Sequence, residues 1–565
     1  MKRKNIRQFI YLVSGIVLMC FISSKYFFRI DLTAEKRYTL SPETRQLLRQ
    51  LDEPLYVHIF LHGDLPVQFR KFRNTIREML DDFRTFSGSR IVYSFIDPTD
   101  AANAREREEN FAILEEAGIN RISVFKTNRD GSQTQQIIFP GAIIYYKDRV
   151  APVNLLSANQ NIHWEMRLNA SFETLEYELI KTVNILKTDS IGHIAFIHGN
   201  GELSRTETFD IGMELANYYE VKRQAINGQL DALDPYKAII IAKPREAFTE
   251  SDKFVIDRYI MRGGKVMWLI DGAYVNTDSL YNLSMTVALH QDLNLDDMLF
   301  VYGMRVNPSV VQDIVSNEIA VTLTDGSSTA ALAPWLYYPL VEPSQNHPIT
   351  RNLDLVWHRY PGYIDTVGRN SEVRKSVLLQ TSPFSRIRTL PTIIDLVEVQ
   401  QNPEQRHFVN PYLITGVLLE GQFPSVFRNR NARNLFPELQ EQQAEKSVET
   451  KMILIADGDI ARNDVRNTAR GLEPWHPLGY DRHTRVTYAN REFLVNALHY
   501  LTDDAGLMSL RNREFKLRLL NKGKANDERI KWQIINLVLP MIILLIGGVA
   551  YNRWRQHKYG EYKII

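Results

Sequence analysis

Two long uncharged apolar runs stand near the two ends of the chain. The run 534–551, IINLVLPMIILLIGGVAY, holds no charged side chain. At about 1.5 Å per residue it extends roughly 27 Å, close to the hydrocarbon thickness of a bilayer. Trp532, Arg553 and Trp554 flank it, as interfacial anchors do. The pattern predicts a transmembrane helix over 532–552, with a buried helix of a globular domain as the alternative.

The second apolar run covers 9–28 and contains Lys25, whose long side chain can reach the interface. Basic residues precede it, so a cleaved signal peptide is the alternative. The run is long for a signal peptide and no small-residue cleavage site follows it, so we predict an uncleaved anchor. The short basic tails 1–8 and 553–565 indicate that both termini are cytoplasmic. The bulk of the chain is then expected in the periplasm, held by the inner membrane.

Between the two spans, short apolar strands alternate with amphipathic helices, which is typical of an α/β protein. Ser41 and Pro42 predict a helix start. The order strand, helix, strand, helix and hairpin over 54–168 favours a thioredoxin-like domain. The sequence contains no C-x-x-C motif, which excludes dithiol redox chemistry. The amphipathic helix 169–188 is predicted to link this domain to the next.

A larger α/β unit begins after this helix. Apolar runs at 194–198, 238–242 and 265–270 are each separated by helical patterns, which favours a Rossmann-like parallel sheet. A similar buried run at 452–456 is predicted to complete that sheet. The proline-punctuated, strand-like segment between them is predicted to be an insertion.

The predicted fold class is therefore α/β, with transmembrane helices bracketing a small thioredoxin-like domain and a larger Rossmann-like domain that carries a β-rich insertion. The predicted boundaries are: cytoplasmic tail 1–8, transmembrane helix 9–28, connector 29–53, small domain 54–168, linking helix 169–188, Rossmann-like domain 189–306, insertion 307–446, completion of that domain 447–505, basic membrane-proximal helix 506–531, transmembrane helix 532–552 and cytoplasmic tail 553–565.

Composition narrows the function. The chain has 565 residues, of which 44% are hydrophobic and 24% charged, with a net charge of +2, as in ordinary globular proteins. Near-neutral charge argues against nucleic-acid binding. The single cysteine, Cys20, lies in the first span, so the bulk has neither disulfide nor thiolate metal site. No G-x-x-x-x-G-K-[ST] loop is present, so the chain is not expected to hydrolyse ATP itself.

Candidate chemistry lies where predicted strands end. His198, Asn200, Gly201 and Glu202 follow one strand and Asp271 follows another. Because the carboxyl ends of parallel strands share one edge of a sheet, we expect these residues on one rim, as a candidate ligand-binding site. A tight turn that uses the positive φ of glycine is the simpler interpretation of 198–202. No catalytic residue, metal site or cofactor is assigned.

Two further patterns have both a structural and a functional interpretation. Asp457 and Asp459, with Asp464 nearby, suggest a cation site, but they lack the ligand series of a calcium loop, so turn capping is favoured. Six aromatic residues suggest either a sugar- or peptide-binding surface or strand packing, and packing is favoured: Trp335, Tyr337, Tyr338, Trp357, Tyr360 and Tyr363.

Several motifs, taken in order, resemble the GldG family across nearly the whole chain. They are the turn HGNGE at 198–202, FTE at 248–250 before a helix that ends at the glycine pair 263–264, YGMRVN at 302–307, IADGD at 455–459 and NREF at 490–493. The turn of the family is closer to G-H-G-E, so Asn200 departs from it.

The resemblance implies an auxiliary, substrate-binding-like subunit of an ABC transporter of gliding bacteria, linked to gliding motility and type IX secretion. It implies a GldF-like permease and a GldA-like ATPase as partners. We expect a non-enzymatic subunit that couples these partners to an envelope client. The alternatives are a membrane-tethered hydrolase that uses His198, Glu202 and Asp271, and a structural scaffold of the envelope.

Overall fold

The chain forms two compact units, Met1–Arg513 and Glu514–Ile565. The computed structural model describes residues 11–15, 19, 39–127, 133–156, 164–188, 192–322, 330–368, 372–400, 404–430, 435–436, 444–469, 471–512 and 527–559. The fold is mixed α/β with several sheets, as the alternating sequence pattern predicts.

The N-terminal part of the first unit is built on a four-stranded sheet in the order β2-β1-β5-β6. β1 runs parallel to β2 and antiparallel to β5, while β3 and β4 pair as a separate hairpin. Its elements are α1 (Pro42–Arg49), β1 (Leu55–Ile59), α2 (Val67–Phe86), β2 (Ile91–Phe95), α3 (Ala104–Glu116), β3 (Ile122–Thr127), β4 (Gln133–Ile138), β5 (Gly141–Tyr146), β6 (Arg149–Asn154) and α4 (Trp164–Lys187).

Two segments predicted as connections are core elements of this part. The start of α1 is as predicted, because Ser41 Oγ accepts from Thr44 N at 2.9 Å and Pro42 is the first helical residue. Leu47 and Leu48 of α1 then pack into the same core as α2. The helix expected to link two domains, α4, is buried along much of its length and joins this core, because its apolar residues face more than one side.

The rest of the first unit is organised around a ten-stranded sheet. Its elements are β7 (His193–His198), α5 (Phe209–Ala216), β8 (Glu220–Ala225), β9 (Ala238–Ala242), α6 (Glu250–Met261), β10 (Lys265–Leu269), α7 (Thr277–Leu283), β11 (Met285–Ala288), α8 (Asp296–Tyr302), β12 (Met304–Asn307), β13 (Ser309–Asp313), β14 (Ser316–Thr322), β15 (Ala330–Pro343), β16 (Val356–Trp357), β17 (Tyr363–Thr366), β18 (Val373–Gln380), β19 (Ser385–Thr389), β20 (Thr392–Asp395), β21 (Ile414–Gly421), β22 (Thr450–Ile455), β23 (Val465–Thr468), β24 (Gly471–Pro474), β25 (Tyr480–Asp481), β26 (Val486–Thr487) and α9 (Asn490–Thr502).

The main sheet is only partly parallel, whereas the sequence pattern predicts a parallel, Rossmann-like sheet. β8, β7, β9, β10 and β22 are parallel neighbours in that order. Beyond β22 the sheet continues with β21, β18, β15 and β14, and these strands run antiparallel. Segment 307–446 therefore extends the main sheet, and the sheet is mixed. A buried strand such as β21 is apolar on both faces, so its sequence does not reveal its direction.

Helices cover both faces of the main sheet. Along β10, Val266 and Trp268 face the core that includes α6 and α8, whereas Met267 and Leu269 face the core that includes α5 and α9. This alternation is the two-residue period of a strand. The carboxyl ends of the parallel strands are left between the two helical layers.

The aromatic set pointed out in the sequence packs in the interior. Trp335, Tyr337, Tyr338, Trp357 and Tyr360 are all buried in one cluster, which confirms the packing interpretation for these five. Arg359 lies with its guanidinium carbon 4.2 Å from the ring centroid of Trp357. The cluster therefore supports the edge of the sheet and does not offer an open aromatic surface.

The second unit contains α10 (Arg529–Tyr559). Its residues Arg529–Lys558, 30 in number, form the one described helix that is long and apolar enough to cross a membrane. Trp532 and Trp554, which lie about 33 Å apart along the axis at 1.5 Å per residue, bracket the apolar stretch, with Arg553 beside the second. Pro540 lies inside the helix without ending it. The predicted C-terminal membrane helix is therefore supported.

The other predicted membrane elements are described only in part. Residues 11–15 and 19 of the expected first span are helical, while Cys20 and Lys25 lie outside the described residues. In the expected basic helix 506–531, Leu507–Asn512 is a 3-10 helix, and 513–526 lies outside the described residues.

His347 gives the first unit a pH dependence. Its ring packs edge-on against Tyr500 of α9 at 4.9 Å, and its Nδ1 accepts from Ile349 N at 3.3 Å. Burial lowers the pKa of His347 to about 4. The unfolded chain therefore binds more protons than the folded chain between this pKa and about 6.5. Stability is full above about pH 6.5 and falls as the pH drops toward 4.

We expect His347→Phe, which keeps the contact with Tyr500 but cannot titrate, to reduce the loss of stability between pH 7 and pH 4.5 by about 2 kcal/mol. Urea unfolding of the full chain in detergent at the two pH values measures this difference. His290→Gln, at an exposed histidine, is the matched control and should keep the wild-type pH dependence. An acid-induced loss in His347→Phe equal to that of the wild type would contradict the assignment.

Candidate functional site

Four charged residues meet at the carboxyl ends of three neighbouring parallel strands. Lys243 follows β9, Asp271 follows β10, and Asp457 and Asp459 follow β22. Each strand is fully or almost fully buried up to its last residue, so the chain turns polar only where it leaves the apolar layer. The edge between the two helical layers is therefore the place where these charges collect.

Lys243 connects two of the carboxylates. Its Nζ lies 3.1 Å from Asp271 Oδ2 and donates to Asp459 Oδ2. The second oxygen of Asp271 accepts from Gly458 N at 2.6 Å. This ties the loop after β22 to the end of β10. Because all three side chains are largely shielded from solvent, these are interior ion pairs with weak screening.

Asp457 is held by a second set of contacts. Its Oδ2 accepts from His358 Nδ1 at 2.7 Å and from Arg359 N at 2.9 Å, and its Oδ1 accepts from Asp459 N at 2.8 Å. His358 Nε2 lies 3.4 Å from Thr415 Oγ1. Thr, His and Asp in this order are the residue types of a nucleophile, base and orienting acid. All three are completely buried, however, so none of them is accessible from solvent in this structure.

An outer layer of arginines closes the site. Arg359 pairs with Asp464 at 2.9 Å, and Arg462 lies 3.2 Å from Glu207 and 3.4 Å from Asp459. Asp464, singled out with the Asp-x-Asp pair in the sequence, therefore binds an arginine. Asp271, Asp459 and Asp464 are thus each matched by a nearby cation, whereas Asp457 is held by His358 and by backbone N–H groups.

The ionisation of the central groups follows from this pairing. Burial works to lower the pKa of Lys243, but the charges of Asp271 and Asp459 outweigh it and hold that pKa above its ordinary value. Burial raises the pKa of Asp271, and Lys243 opposes the rise. Burial works in the same direction at Asp459, yet Lys243, Arg462 and Arg359 hold its pKa below the usual range. Lys243 and Asp459 are therefore charged at neutral pH, and Asp271, whose pKa is raised to about 6, is mainly ionised there too.

The carboxylates are close enough to ligate a metal. Single oxygens of Asp271, Asp457 and Asp459 lie within 4.8 Å of one another, a spacing that suits a hard cation. The ammonium of Lys243 already bonds to two of them. The positive charge that such a cation would bring is thus supplied by a side chain of the protein.

The turn predicted as a ligand site is closed by its own contacts. Asn200 O accepts from Arg245 N at 2.8 Å and from Glu246 N at 2.9 Å, and Asn200 N donates to Glu202 Oε2 at 2.7 Å. The φ values of Gly199 and Gly201 are +127° and +75°, as a tight turn requires. His198 is exposed at the end of β7. The geometry favours the turn interpretation of 198–202.

Asp271 does not join that turn. β9 lies between β7 and β10, so the ends of the two outer strands are about 10 Å apart. The structure therefore brings Asp271 to Lys243, and not to His198 or Glu202. Sequence reasoning missed Lys243, although its position directly after the buried strand AIIIA was a usable signal. It also missed His358, for which the local sequence gives no signal.

Backbone segments pack closely against one another next to Asp271 and Asp457. A Cβ on Gly272 would lie 2.6 Å from Gly362 Cα and 2.7 Å from Ser309 O, which no side chain tolerates. Gly362 N also donates to Ala456 O at 2.8 Å, next to Asp457. Four chain segments far apart in sequence, at Gly272, Ser309, Gly362 and Ala456, therefore meet directly beside the ion pairs.

The strand-edge site lies within a region that matches a known sequence family. A family model described as "ABC-type uncharacterized transport system" matches residues 192–497, more than half of the chain. The chain belongs to this family of ABC transport auxiliary proteins. Membership implies that it associates with other components of an ABC transport system. The charged edge is thus part of the family domain, while a domain of unknown function matches residues 34–145.

Two further comparisons place this auxiliary protein among known proteins. A protein of Borreliella burgdorferi strain B31, described only as "Uncharacterized protein", is 21% identical over 560 residues, which is 96% of both chains. The mmIFT52 N-terminal domain covers 55% of this chain and 98% of its own, at 13% identity. Its TM-score of 0.31 is too low to establish a shared fold.

We expect Lys243→Met to destabilise the auxiliary protein by about 3–5 kcal/mol, because it leaves buried carboxylates without their cation. Urea unfolding of the full chain in detergent measures the change. Lys222→Met on the edge strand β8 removes a lysine that pairs with Glu220 at the surface, and it should cost less than about 1 kcal/mol. Equal stability of Lys243→Met and the wild type would show that the central ion pairs do not hold the strand ends together.

Proposed function

We propose that this chain is a non-enzymatic coupling subunit of an ABC transporter. A separate cytoplasmic ATPase would drive a permease, and the α/β body of this chain would pass the movement of the permease to a client in the envelope. The family match supports the transporter part of this proposal. The pairing of charges at the strand edge supports the non-enzymatic part.

The proposal rests on one observation. The charged side chains of Lys243, Asp271, Asp457 and Asp459 are bound to one another or to neighbouring residues. An enzyme needs an accessible group whose pKa or nucleophilicity is tuned for reaction. At this edge the perturbed groups are buried and bound to one another, and the exposed His198 has no base or acid paired with it among the contacts of the described residues. Such a network makes the edge rigid, which suits a body that transmits force.

Membrane attachment supports a role beside a permease. The helix α10 would hold the body at the membrane, and the expected first span 9–28 would make a second attachment. Tethering raises the effective concentration of the body near membrane partners. We propose that both termini are cytoplasmic, that the body lies in the periplasm, and that the inner membrane is the site of action.

The finer assignment follows the GldG resemblance. We propose a GldF-like permease and a GldA-like ATPase as the partners, with a link to gliding motility and type IX secretion. The motif IADGD at 455–459 is one of those that carry the resemblance. In this fold it supplies Asp459 to the ion pair with Lys243 and Asp457 to the hydrogen bond with His358, so the family motif has a structural explanation.

One exposed face suits the contact with the permease. Met285, Val287 and Leu289 alternate along and just beyond β11 and are exposed, and Ile393 lies directly opposite Val287 on β20 and is exposed too. Exposed apolar side chains grouped in this way are typical of protein contact surfaces. We assign this face, β11–β20, to the permease.

Affinity purification of the tagged full chain in mild detergent tests the proposal. We expect a permease and an ATPase of ABC type to co-purify, identified by mass spectrometry. The double variant His198→Ala, Glu202→Ala should retain both partners and transporter-dependent function, because a coupling subunit does not use these groups. Absence of both partners from the wild-type preparation would contradict the proposed function, and so would loss of function in a folded double variant.

The same purification also tests whether the face β11–β20 contacts the permease. Val287→Lys with Ile393→Lys should lower the recovered permease at least about tenfold, because burying unpaired ammonium groups in a contact is costly. Phe300→Lys, at an exposed apolar residue of α8, is the matched control and should leave the recovery unchanged. Equal recovery with both sets of variants would place the contact elsewhere and leave the coupling role intact.

A further inference from the structure

A cavity of about 120 Å³ lies where three helices of the first unit end. The C-terminal residues of α4 and α9 line it, as do the residues just after α5 and part of the 3-10 helix Leu507–Asn512. A cavity of this size has room for several non-hydrogen atoms. Its lining includes Arg149, Tyr177, Lys181, Tyr219, Lys237 and His499.

His499 presents an unsatisfied nitrogen in this cavity. Its ring packs edge-on against Tyr218 at 4.7 Å, and its Nδ1 lies 2.8 Å from the hydroxyl of Tyr219. That hydroxyl is also 2.7 Å from Thr502 Oγ1, so Nδ1 belongs to a fixed chain of hydrogen bonds. Nε2 is buried and has no partner among the described residues, and the residue as a whole is 8% exposed.

Arg511, which lies near Tyr177, also has buried nitrogens without a hydrogen-bond partner among the described residues. It is 7% exposed, and one terminal nitrogen donates to Arg351 O at 3.1 Å. Its Nε and its other terminal nitrogen are buried without a partner among the described residues. The guanidinium carbon lies 5.7 Å from the ring centroid of Tyr177, which lines the cavity. A guanidinium stays charged at any ordinary pH, so an unpaired one in the interior is costly.

The other cations around the cavity have partners. Lys181 pairs with Glu178 at 2.9 Å, and Lys237 lies 3.8 Å from Asp504. Arg149 donates to the carbonyls of Leu186 and Thr188, at the C-terminus of α4 where the helix dipole favours a cation. Arg511 is therefore the cation whose charge the described contacts do not balance.

We propose that this cavity binds a small oxyanion, a carboxylate or a phosphate group, at His499, with Arg511 beside Tyr177 supplying positive charge nearby. When the Tyr219 hydroxyl donates to Nδ1, the hydrogen of the ring is on Nε2, and Nε2 donates to the anion. Arg511 is not among the residues that line the cavity, so it acts through its charge, which favours a bound carboxylate or phosphate. The bound anion joins the ends of α4 and α9 to the segment that leads toward α10 in the sequence. This site is independent of the proposed transporter role.

Calorimetric titration of the full chain in detergent at pH 7.5 tests the proposal. Inorganic phosphate and acetate are titrated separately into protein in chloride buffer of matched ionic strength. We expect saturable binding of at least one of them. His499→Phe should weaken it at least about tenfold, as expected for loss of a hydrogen bond to a charged group, and Arg511→Met should weaken it through loss of the nearby positive charge. His347→Phe and Arg374→Met, at a histidine and an arginine elsewhere in the first unit, should keep wild-type affinity.

Three outcomes would overturn the proposal. Absence of saturable binding to the wild type would show that the cavity holds water only, and this result needs no variant. Unchanged affinity in both His499→Phe and Arg511→Met would mean an adventitious ion only. If the protein bound phosphatidylglycerol vesicles but neither phosphate nor acetate, the hydrogen-bond donors of the cavity would be assigned to a lipid headgroup. If Arg511→Met does not fold, Arg511→Lys, which keeps the charge, should bind close to wild-type affinity, and His499→Phe remains the deciding variant.

Discussion

The ammonium of Lys243 between Asp271 and Asp459 is the interaction on which the strand edge depends. Three parallel strands end at one place, and each end brings a charged side chain out of an apolar layer. Charges of one sign at this edge would repel each other at weak screening. The lysine matches two carboxylates at once, and the crossing at Gly272 and Gly362 leaves its surroundings no room to relax. These contacts within the protein therefore fix the positions of the three strand ends.

The same pairing limits what the edge can do. A buried ion network holds elements in place but offers no free acid, base or nucleophile to a substrate. The coupling role that we propose would use this rigidity to pass movement between a permease and a client. The family match covers this part of the chain and gives the body its transporter context.

Local patterns in the sequence were enough to predict the elements but not the pairing between them. The run AIIIA at Ala238–Ala242 and the apolar stretch of α10 are recognisable because burial dictates their composition. The antiparallel direction of β21 and the meeting of His358 with Asp457 depend on tertiary contacts. His358 is nearly a hundred residues from its partner, so no spacing rule could reveal it. Asp271 was recognised as a strand-end carboxylate, yet its partner was misassigned because the strand order was unknown.

Protease treatment of intact spheroplasts tests the central claim most directly, namely that a large folded body works outside the cytoplasm on a membrane tether. With epitope tags at both termini, the account predicts that the full-length band disappears and that short fragments carrying α10 and the C-terminal tag remain protected. A cytoplasmic marker protein should stay intact in the same sample. A full-length chain that survives in intact spheroplasts, and is digested only after lysis, would contradict the account.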